Sequence, residues 1–440
     1  MCDWSQHSLR ELVGAPISGS RPSGGVREDT AGIPSLGGEN ILIDGGVTFD
    51  VLKRIPRKFF ALMTKGHLQM GDVLINKDGA QTGKVGFYEG AFEEAAINEH
   101  LFILRSTNGA INQRLLYYYL LHRDTQCSIA RMITGSAQPG LNSKFVDAVR
   151  ISIPRSDLEQ QYIADALSIL DTVIQESDAI IAKLKIVRQG LLYDLLTRGI
   201  DANGEIRPHQ AEAAHLYKLS PIGWIPNDWI SGTLDSWLDG KPKNGYSPQE
   251  AGEWTGIQML GLGCLTLQGF QPLQLKPAPR GDKRLSNALL SDGDLLMSRA
   301  NTRDLVGMVG VYRDVGTPCT YPDLMMRLRP SSETSAEFLQ FVLQASTVRR
   351  QVQAHAVGTS GSMVKISSKI VSNLAVAVPG KTEQNQILAL LAAGDARLNT
   401  ELEKVAALRD LKAGLMDDLL TSRVRVTPLL AEAAQQQRSA

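Results

Sequence analysis

The stretch GDVLINKDGAQTGKVGFY (Gly71–Tyr88) sets the first question of this sequence. An apolar run is followed by glycines and then by Gly-Lys, which is roughly how a phosphate-cradling loop begins. That loop requires four residues between its two glycines and a hydroxyl after the lysine, to reach magnesium. Here only three residues separate Gly79 from Gly83, and Val85 follows Lys84. A second copy of the stretch decides the matter. GDLLMSR (Gly293–Arg299) repeats GDVLINK (Gly71–Lys77), and VGVY (Val309–Tyr312) repeats VGFY (Val85–Tyr88). In that copy Met308 stands where Lys84 stands, and a methionine cannot hold a phosphate. The stretch therefore reads as a glycine-aspartate turn, a buried strand and a polar loop.

The repeat extends over the whole chain, and self-similarity of this kind sets the organisation before anything else. GIPSLGGENI (Gly32–Ile41) matches GIQMLGLGCL (Gly256–Leu265). EQQYIADALSILD (Glu159–Asp171) matches EQNQILALLAAGD (Glu383–Asp395), and LLYDLLT (Leu191–Thr197) matches LMDDLLT (Leu415–Thr421). Trp4 and Leu9 recur as Trp229 and Leu234. Each half holds short apolar runs punctuated by Gly, Pro and Asn, such as HLFIL, VRISIP and LAVAVP, which read as strands and loops. A long helical pattern follows each. In the first, Leu167, Leu170, Ile174, Ile181, Leu184, Leu191 and Leu195 keep a three–four spacing, with Ser177 and Arg188 as its polar members. In the second, Leu391, Leu398, Val405, Leu408, Leu415 and Leu419 repeat it. This is a heptad seam, the pattern of helices packed at a shallow angle. Pro154 and Pro379 precede the helices, and Asp157 and Thr382 suit an N-cap or first-turn position.

The expected fold is α+β: two duplicated mixed α/β domains, each followed by one of a pair of long coiled-coil helices. The expected boundaries are 1–155 and 226–380 for the domains and 156–199 and 381–424 for the helices. A linker at 200–225 and a polar tail at 425–440 complete the chain. Leu192, Leu196, Met416 and Leu420 lie beside the seam and suit either a thicker seam or a partner's surface.

Composition narrows the function. Lysine plus arginine equals aspartate plus glutamate at 46 each, so any nucleic acid must be met by local basic patches. The four cysteines, Cys2, Cys127, Cys264 and Cys319, form no C-x-x-C pair, and the histidines form no metal-binding spacing. No apolar run reaches the length of a membrane span, and MCDWSQHSLRELV is unlike a signal peptide. The expectation is a cytoplasmic protein with reduced thiols, no metal and no catalytic residues. No N/D-P-P-Y/F methyltransferase motif, helicase box or G-x-S-x-G elbow occurs.

Basic, amide and hydroxyl side chains gathered in loops are what base edges and phosphates require. In the first domain the candidates are Lys77, Thr82, Lys84, Arg131, Ser136, Gln138, Asn142 and Lys144. In the second they are Arg299, Asn301, Thr302, Arg303, Ser360, Ser362, Lys365 and Lys369. TGSAQPGLNSK (Thr134–Lys144) aligns with TSGSMVKISSK (Thr359–Lys369) as a second polar loop. The run KRIPRK (Lys53–Lys58) reads as a phosphate-side patch or a solvated face.

With these segments in their order and duplicated, the chain resembles the DNA-specificity subunit of type I restriction–modification systems, up to about Thr427. GDVLINKDG and GDLLMSRANTRDLVG, the starts and ends of the two long helices, and the SPIGWIPNDW junction (Ser220–Trp229) carry the resemblance. It implies that each α/β part is a target-recognition domain reading one half of a split double-stranded DNA sequence, and that the two domains are separated by the pair of long antiparallel coiled-coil helices. It also implies that two methyltransferase subunits, which bring the S-adenosylmethionine, dock on this chain, and that translocating restriction subunits join them. A stand-alone DNA-binding module and a structural coiled-coil scaffold are the competing readings.

On this reading helix length sets the gap between half-sites. About 40 residues of helix span roughly 60 Å at 1.5 Å per residue, against about 34–36 Å for a turn of DNA. Inserting four residues after Thr197 lengthens the first spacer by about 6 Å, room for about one or two base-pair steps of 3.4 Å. Methylation of a plasmid library with varied half-site spacing should shift to the longer spacer. An unchanged spacer in a folded, active mutant excludes the helices as the ruler.

Overall fold

The computed structural model describes residues 3–22, 31–135, 139–358 and 363–426. They fall into two compact units, Met1–Ala179 with Leu402–Ala440, and Ile180–Glu401. Each long helix crosses from one unit into the other: the first is Asp157–Thr197 and the second Lys381–Leu420.

In the first unit Val73–Asn76 lies inside a four-stranded antiparallel sheet, with Leu101–Leu104 on one side and Val85–Phe87 on the other; Ile17–Ser18 pairs with the far edge of Leu101–Leu104. All four residues of the strand are buried. Val73 and Ile75 pack into a core with the helix Gln113–Leu121, whereas Leu74 packs on the opposite side with Leu36, Tyr88 and Ile103. Alternate side chains of a strand point to opposite faces. A strand covered on both faces is therefore apolar on both, which is why Val73, Leu74 and Ile75 show no period of two before the buried Asn76.

The second unit repeats this. Leu295–Ser298 is flanked by Met325–Leu328 and Val309–Val311. Leu295 and Met297 face one core and Leu296 the other. A three-stranded sheet accompanies each: Lys53–Ile55, Ile33–Leu36 and Ala96–Ile97 in the first unit, and Leu275–Pro277, Gln258–Leu260 and Cys319–Thr320 in the second. A two-stranded ribbon closes each domain, Trp4–Ser8 with Arg150–Pro154 and Ile230–Thr233 with Ala375–Val378.

The turn before the central strand is built identically twice. Gly71 (φ +89°) and Gly293 (φ +87°) are left-handed, a region side chains with a Cβ avoid. The next residue folds its carboxylate back: Asp72 Oδ2 accepts from Gln69 N at 2.8 Å, and Asp294 Oδ2 from Ser291 N at 2.9 Å. Arg105 donates to Asp72 at 2.5 and 2.7 Å, and Arg327 to Asp294 at 3.0 Å.

Within each unit the two long helices run antiparallel. In the first, Asp171 pairs with Lys412 at 2.5 Å and Asp178 with Arg409 at 2.8 Å. In the second, Arg188 pairs with Asp395, and the Ile200 amide meets Glu383. On the first helix Leu167, Ile174, Ile181 and Leu195 are buried, while Leu170, Leu184 and Leu191 are half-buried. On the second, Leu391, Val405 and Leu419 are buried, while Leu398, Leu408 and Leu415 are half-buried. Of the two polar members of the first stripe, Ser177 is buried and Arg188 is spent on Asp395. Met416 and Leu420 are buried in the first unit's core, and Leu192 and Leu196 pack partly buried on the second's. Met416 and Leu420 thus thicken a core, while Leu192 and Leu196 pack on theirs and stay partly exposed. Asp157 and Thr382 both fall in the first turns, and Ser156 caps the first helix through the Glu159 amide. The segment after the first helix contains a hairpin, Tyr217–Ser220 with Gly223–Pro226.

Glu383, in the first turn of the second helix, accepts from Arg207 at 2.6 and 3.2 Å, from Ile200 N at 2.7 Å and from Trp229 Nε1 at 3.1 Å. Both ionic side chains are nearly buried, at 12% and 9% exposure. Removing one partner of such a pair leaves the other charge stranded. Glu383→Ala should therefore cost about 3 kcal/mol, read as a lower urea midpoint with Trp229 emission as the probe. An unchanged midpoint contradicts the assignment.

Candidate nucleic-acid interface

Beyond the central strand of the first unit, the chain enters the loop Lys77–Lys84. Lys77 Nζ donates to Asp78 Oδ2 at 2.8 Å and lies 5.5 Å from the centre of the Phe102 ring. Thr82 Oγ1 donates to Gly79 O at 2.6 Å and lies 3.2 Å from Pro139 O. A second loop is laced to this one through the backbone. Gly79 N donates to Pro139 O at 2.9 Å, Leu141 N donates to Lys77 O at 2.7 Å, and Asp78 bridges Gly140. Gln126 Nε2, from the helix Arg123–Ala130, donates to Gly83 O at 3.2 Å. The two polar loops picked from sequence thus lie side by side, with Gln81, Arg131, Asn142 and Lys144 exposed and Lys84 half-buried.

The second unit makes the same junction. Ala300–Asn301 pairs antiparallel with Val364–Lys365, and Ile366 N donates to Arg299 O at 2.9 Å. Val357 and Lys365 exchange both backbone hydrogen bonds, at 2.9 and 2.8 Å. The turn after Asn301 is pinned to the helix Ser346–His355. Arg303 donates to Gln353 O at 2.8 Å, and Arg349 donates to Asp304 O at 2.7 Å and to Val306 O. Burial lowers the pKa of the Arg349 guanidinium from its usual value. Thr302, Arg303, Lys365 and Lys369 are exposed, while Arg299 and Asn301 are half-buried. Arg299 Nη1 donates to Asp323 O at 3.3 Å, and Asn301 Oδ1 accepts from Thr302 N at 2.9 Å.

Ser136, Gln138, Ser360 and Ser362 lie outside the described residues. Lys77, Thr82 and Arg299 already have partners inside the protein. The run KRIPRK is held locally: Lys53 pairs with Glu39 at 2.6 Å, Arg54 donates to Gly32 O at 2.9 Å, and Arg57 pairs with Glu94 at 2.7 Å. Sequence reasoning missed Gln81, exposed in the first loop, and the anchors Gln126 and Arg349. It also missed the Asp72–Arg105 and Asp294–Arg327 pairs, although an arginine stands 33 residues after the repeated Gly-Asp both times. Among the described residues, no group of three His, Cys, Asp or Glu could hold a metal, and no helix is long and apolar enough to cross a membrane.

Twin α/β parts with twin polar loop pairs, each joined to a stretch of both long helices, make this a duplicated two-unit protein. The comparisons agree. Residues 1–185 match the model of the family described as type I restriction modification DNA specificity domain. The whole chain is similar to the type I restriction enzyme MjaVIII specificity subunit of Methanocaldococcus jannaschii, at 22% identity, covering 97% of this chain and 94% of that one. Its fold is that of the S subunit of a type I restriction–modification system from M. genitalium, with a TM-score of 0.55, 14% identity, and 95% and 96% of the two chains covered. A solved chain from work on complex assembly and conformational transition of the type I R-M system gives 0.57, 16%, and 95% and 97%.

Thr82 tests whether a loop hydroxyl is structural. Thr82→Val deletes its hydrogen bonds at a cost of about 1 kcal/mol. Amide exchange at Gly79 and Leu141 should then speed up about fivefold by that penalty. Unchanged exchange, with weakened DNA binding, would make Thr82 a contact residue instead.

Proposed function

We propose that this chain is the non-catalytic sequence-reading subunit of a type I restriction–modification complex. Each α/β part reads one half of a bipartite double-stranded DNA target. The long helices carry the methyltransferase and restriction subunits, and S-adenosylmethionine belongs to the methyltransferases. The observation that supports this best is the duplicated junction of polar loops. At the end of each central strand, two loops are stitched together by backbone hydrogen bonds, while basic, amide and hydroxyl side chains are left on the outside. Reading a base edge needs such groups held in a fixed geometry. The chain's balanced charge suits a protein whose affinity comes from local contacts and from partners rather than from bulk attraction to phosphates. Names of relatives as specificity subunits of type I restriction enzymes point the same way.

The test exchanges residues 1–150 for the corresponding part of a relative. Methylome sequencing of a host expressing the hybrid should show one half of the methylated sequence changed and the other intact. Both halves changing together would refute separate reading by the two domains.

A further inference from the structure

In both domains a glycine closes the loop beyond the central strand, and its amide donates to the carbonyl of the strand's last residue. Gly83 N donates to Asn76 O at 2.7 Å, and Gly307 N to Ser298 O at 2.8 Å. Between those two points the second loop is two residues longer than the first. It carries a tight turn, in which Thr302 O accepts from Val306 N at 2.8 Å and from Leu305 N at 3.1 Å. That turn is pressed onto the helix Ser346–His355. Gly307 is left-handed (φ +71°), and a Cβ there would lie 2.5 Å from Val352 Cγ1 and 3.1 Å from Arg349 Nη1. The first loop stands off its own helix: a Cβ on Gly83 would find its nearest neighbour at 3.6 Å, on Ile129.

Arg349 holds the longer turn from the helix side. One guanidinium nitrogen donates to Asp304 O at 2.7 Å and another to Val306 O. One helical turn further on, Gln353 O accepts from Arg303 at 2.8 Å. Residues four apart share a helix face, so both clamps act on the same side. Gln351, between them, exchanges two hydrogen bonds of 2.9 Å with the backbone of Ala375, where the ribbon strand Ala375–Val378 begins. Two residues past the helix, Val357 exchanges backbone hydrogen bonds with Lys365 on the other polar loop. One helix therefore carries both loops of the second domain and is itself fixed to the closing ribbon.

Stability alone does not call for an arginine here. Among the described residues its hydrogen bonds go to carbonyls of the turn and none to a carboxylate, and half-burying a guanidinium without a counter-charge costs solvation. What it supplies is direction. The planar fork presents its donors in a fixed geometry, so it sets the places of two carbonyls at once, through charge-assisted bonds stronger than neutral ones. We propose that Arg349 is the positioning residue of the second domain: it sets the pose of the turn against the Val357–Lys365 pairing, so that Asn301 and Thr302 meet neighbouring base edges in register with the other loop. This rests on the reading of the chain as a DNA-specificity subunit and goes beyond it, since it names the residue on which part of one half-site's specificity depends. Arg349 acts through the turn and itself touches no base.

The test uses the full chain with its methyltransferase subunits and duplexes in which each position of the methylated sequence is varied in turn. Arg349→Met removes both clamps and the charge, whereas Arg349→Lys keeps the charge and reaches one carbonyl. Arg349→Met should lower base discrimination about tenfold at about one or two neighbouring positions of the half-site read by the second domain. The remaining positions and the whole first half-site should keep theirs. Arg349→Lys should recover part of the loss. Asn301→Ala combined with Thr302→Ala should relax the same positions, and adding Arg349→Met should then cost nothing more, because residues acting through one contact are not additive. Should Arg349→Met lose its fold, read from the urea midpoint, Arg349→Lys carries the same comparison with a smaller loss. Three results overturn the proposal. One is weakening on all sequences alike, with a salt slope lower by about one and full recovery in Arg349→Lys, the mark of a phosphate contact. The others are unchanged discrimination in both variants and relaxation spread evenly over the half-site. An unmodified protein with no preference for its cognate duplex over a scrambled one removes the underlying reading instead, and the positioning role with it.

Discussion

A carboxylate in the first turn of each long helix closes the unit it lies in. The first unit is assembled from two stretches far apart in the chain, and in the second the ends of one long stretch meet. In the second unit Glu383 gathers Arg207, the Ile200 amide and the Trp229 indole. It thereby joins the start of one helix to the segment leaving the other and to the first strand of the domain. In the first unit Glu159 does the same with Arg425, which donates at 2.8 and 3.0 Å and lies 3.4 Å from Asp3. Charge-assisted bidentate pairs of this kind are directional and lose much if half-made. The neighbouring glutamines complete each junction. Gln160 bridges Pro154 O and the Asn112 amide, and Gln384 bridges Pro379 O, Glu333 O and the Thr334 hydroxyl.

With the ends tied, the central strand has little freedom. Both of its faces are covered and its pairing is fixed on both sides, so the loop beyond it leaves at a set place and height. The Gly-Asp turn fixes the other end of the strand through Arg105 or Arg327. Thus the order of constraint runs from helix head to ribbon, from ribbon to sheet, and from sheet to loop. A reading surface needs this, because a base-edge hydrogen bond misplaced by an ångström is lost.

Duplication, the central strands and the long helices were legible in the sequence because each rests on a local pattern. The repeat separates by a near-constant interval, the strand is an unbroken apolar run, and the helices carry a heptad stripe. The loop pairing was only half legible. Two polar loops could be picked in each copy, but their meeting depends on contacts such as Thr82 with Pro139, 57 residues apart. For the same reason sequence could not tell a free side chain from a spent one. Lys77 looks like Lys84 on paper, yet Lys77 faces Asp78 at 2.8 Å. Leu192 and Met416 had two readings because a helix flank is apolar whether it meets its own domain or another protein. Only the packing around them separates the two.

The two loop junctions also show how a duplicated reader diverges without losing its shape. What holds the loops together is mostly backbone: Gly79 to Pro139 and Leu141 to Lys77 in one copy, Ile366 to Arg299 and Val357 with Lys365 in the other. Backbone hydrogen bonds tolerate any side chain that fits the local φ and ψ. The outward positions are therefore free to change chemistry, and they do. Gln81 stands in one copy where Leu305 stands in the other, each two places before the shared glycine, and Gly79 stands where Asn301 stands. Anchoring follows the same logic with different residues. Gln126 reaches the first loop through a single carbonyl, whereas Arg349 reaches the second through two. The geometry of reading is thus set by the backbone, and its content by a few outward side chains.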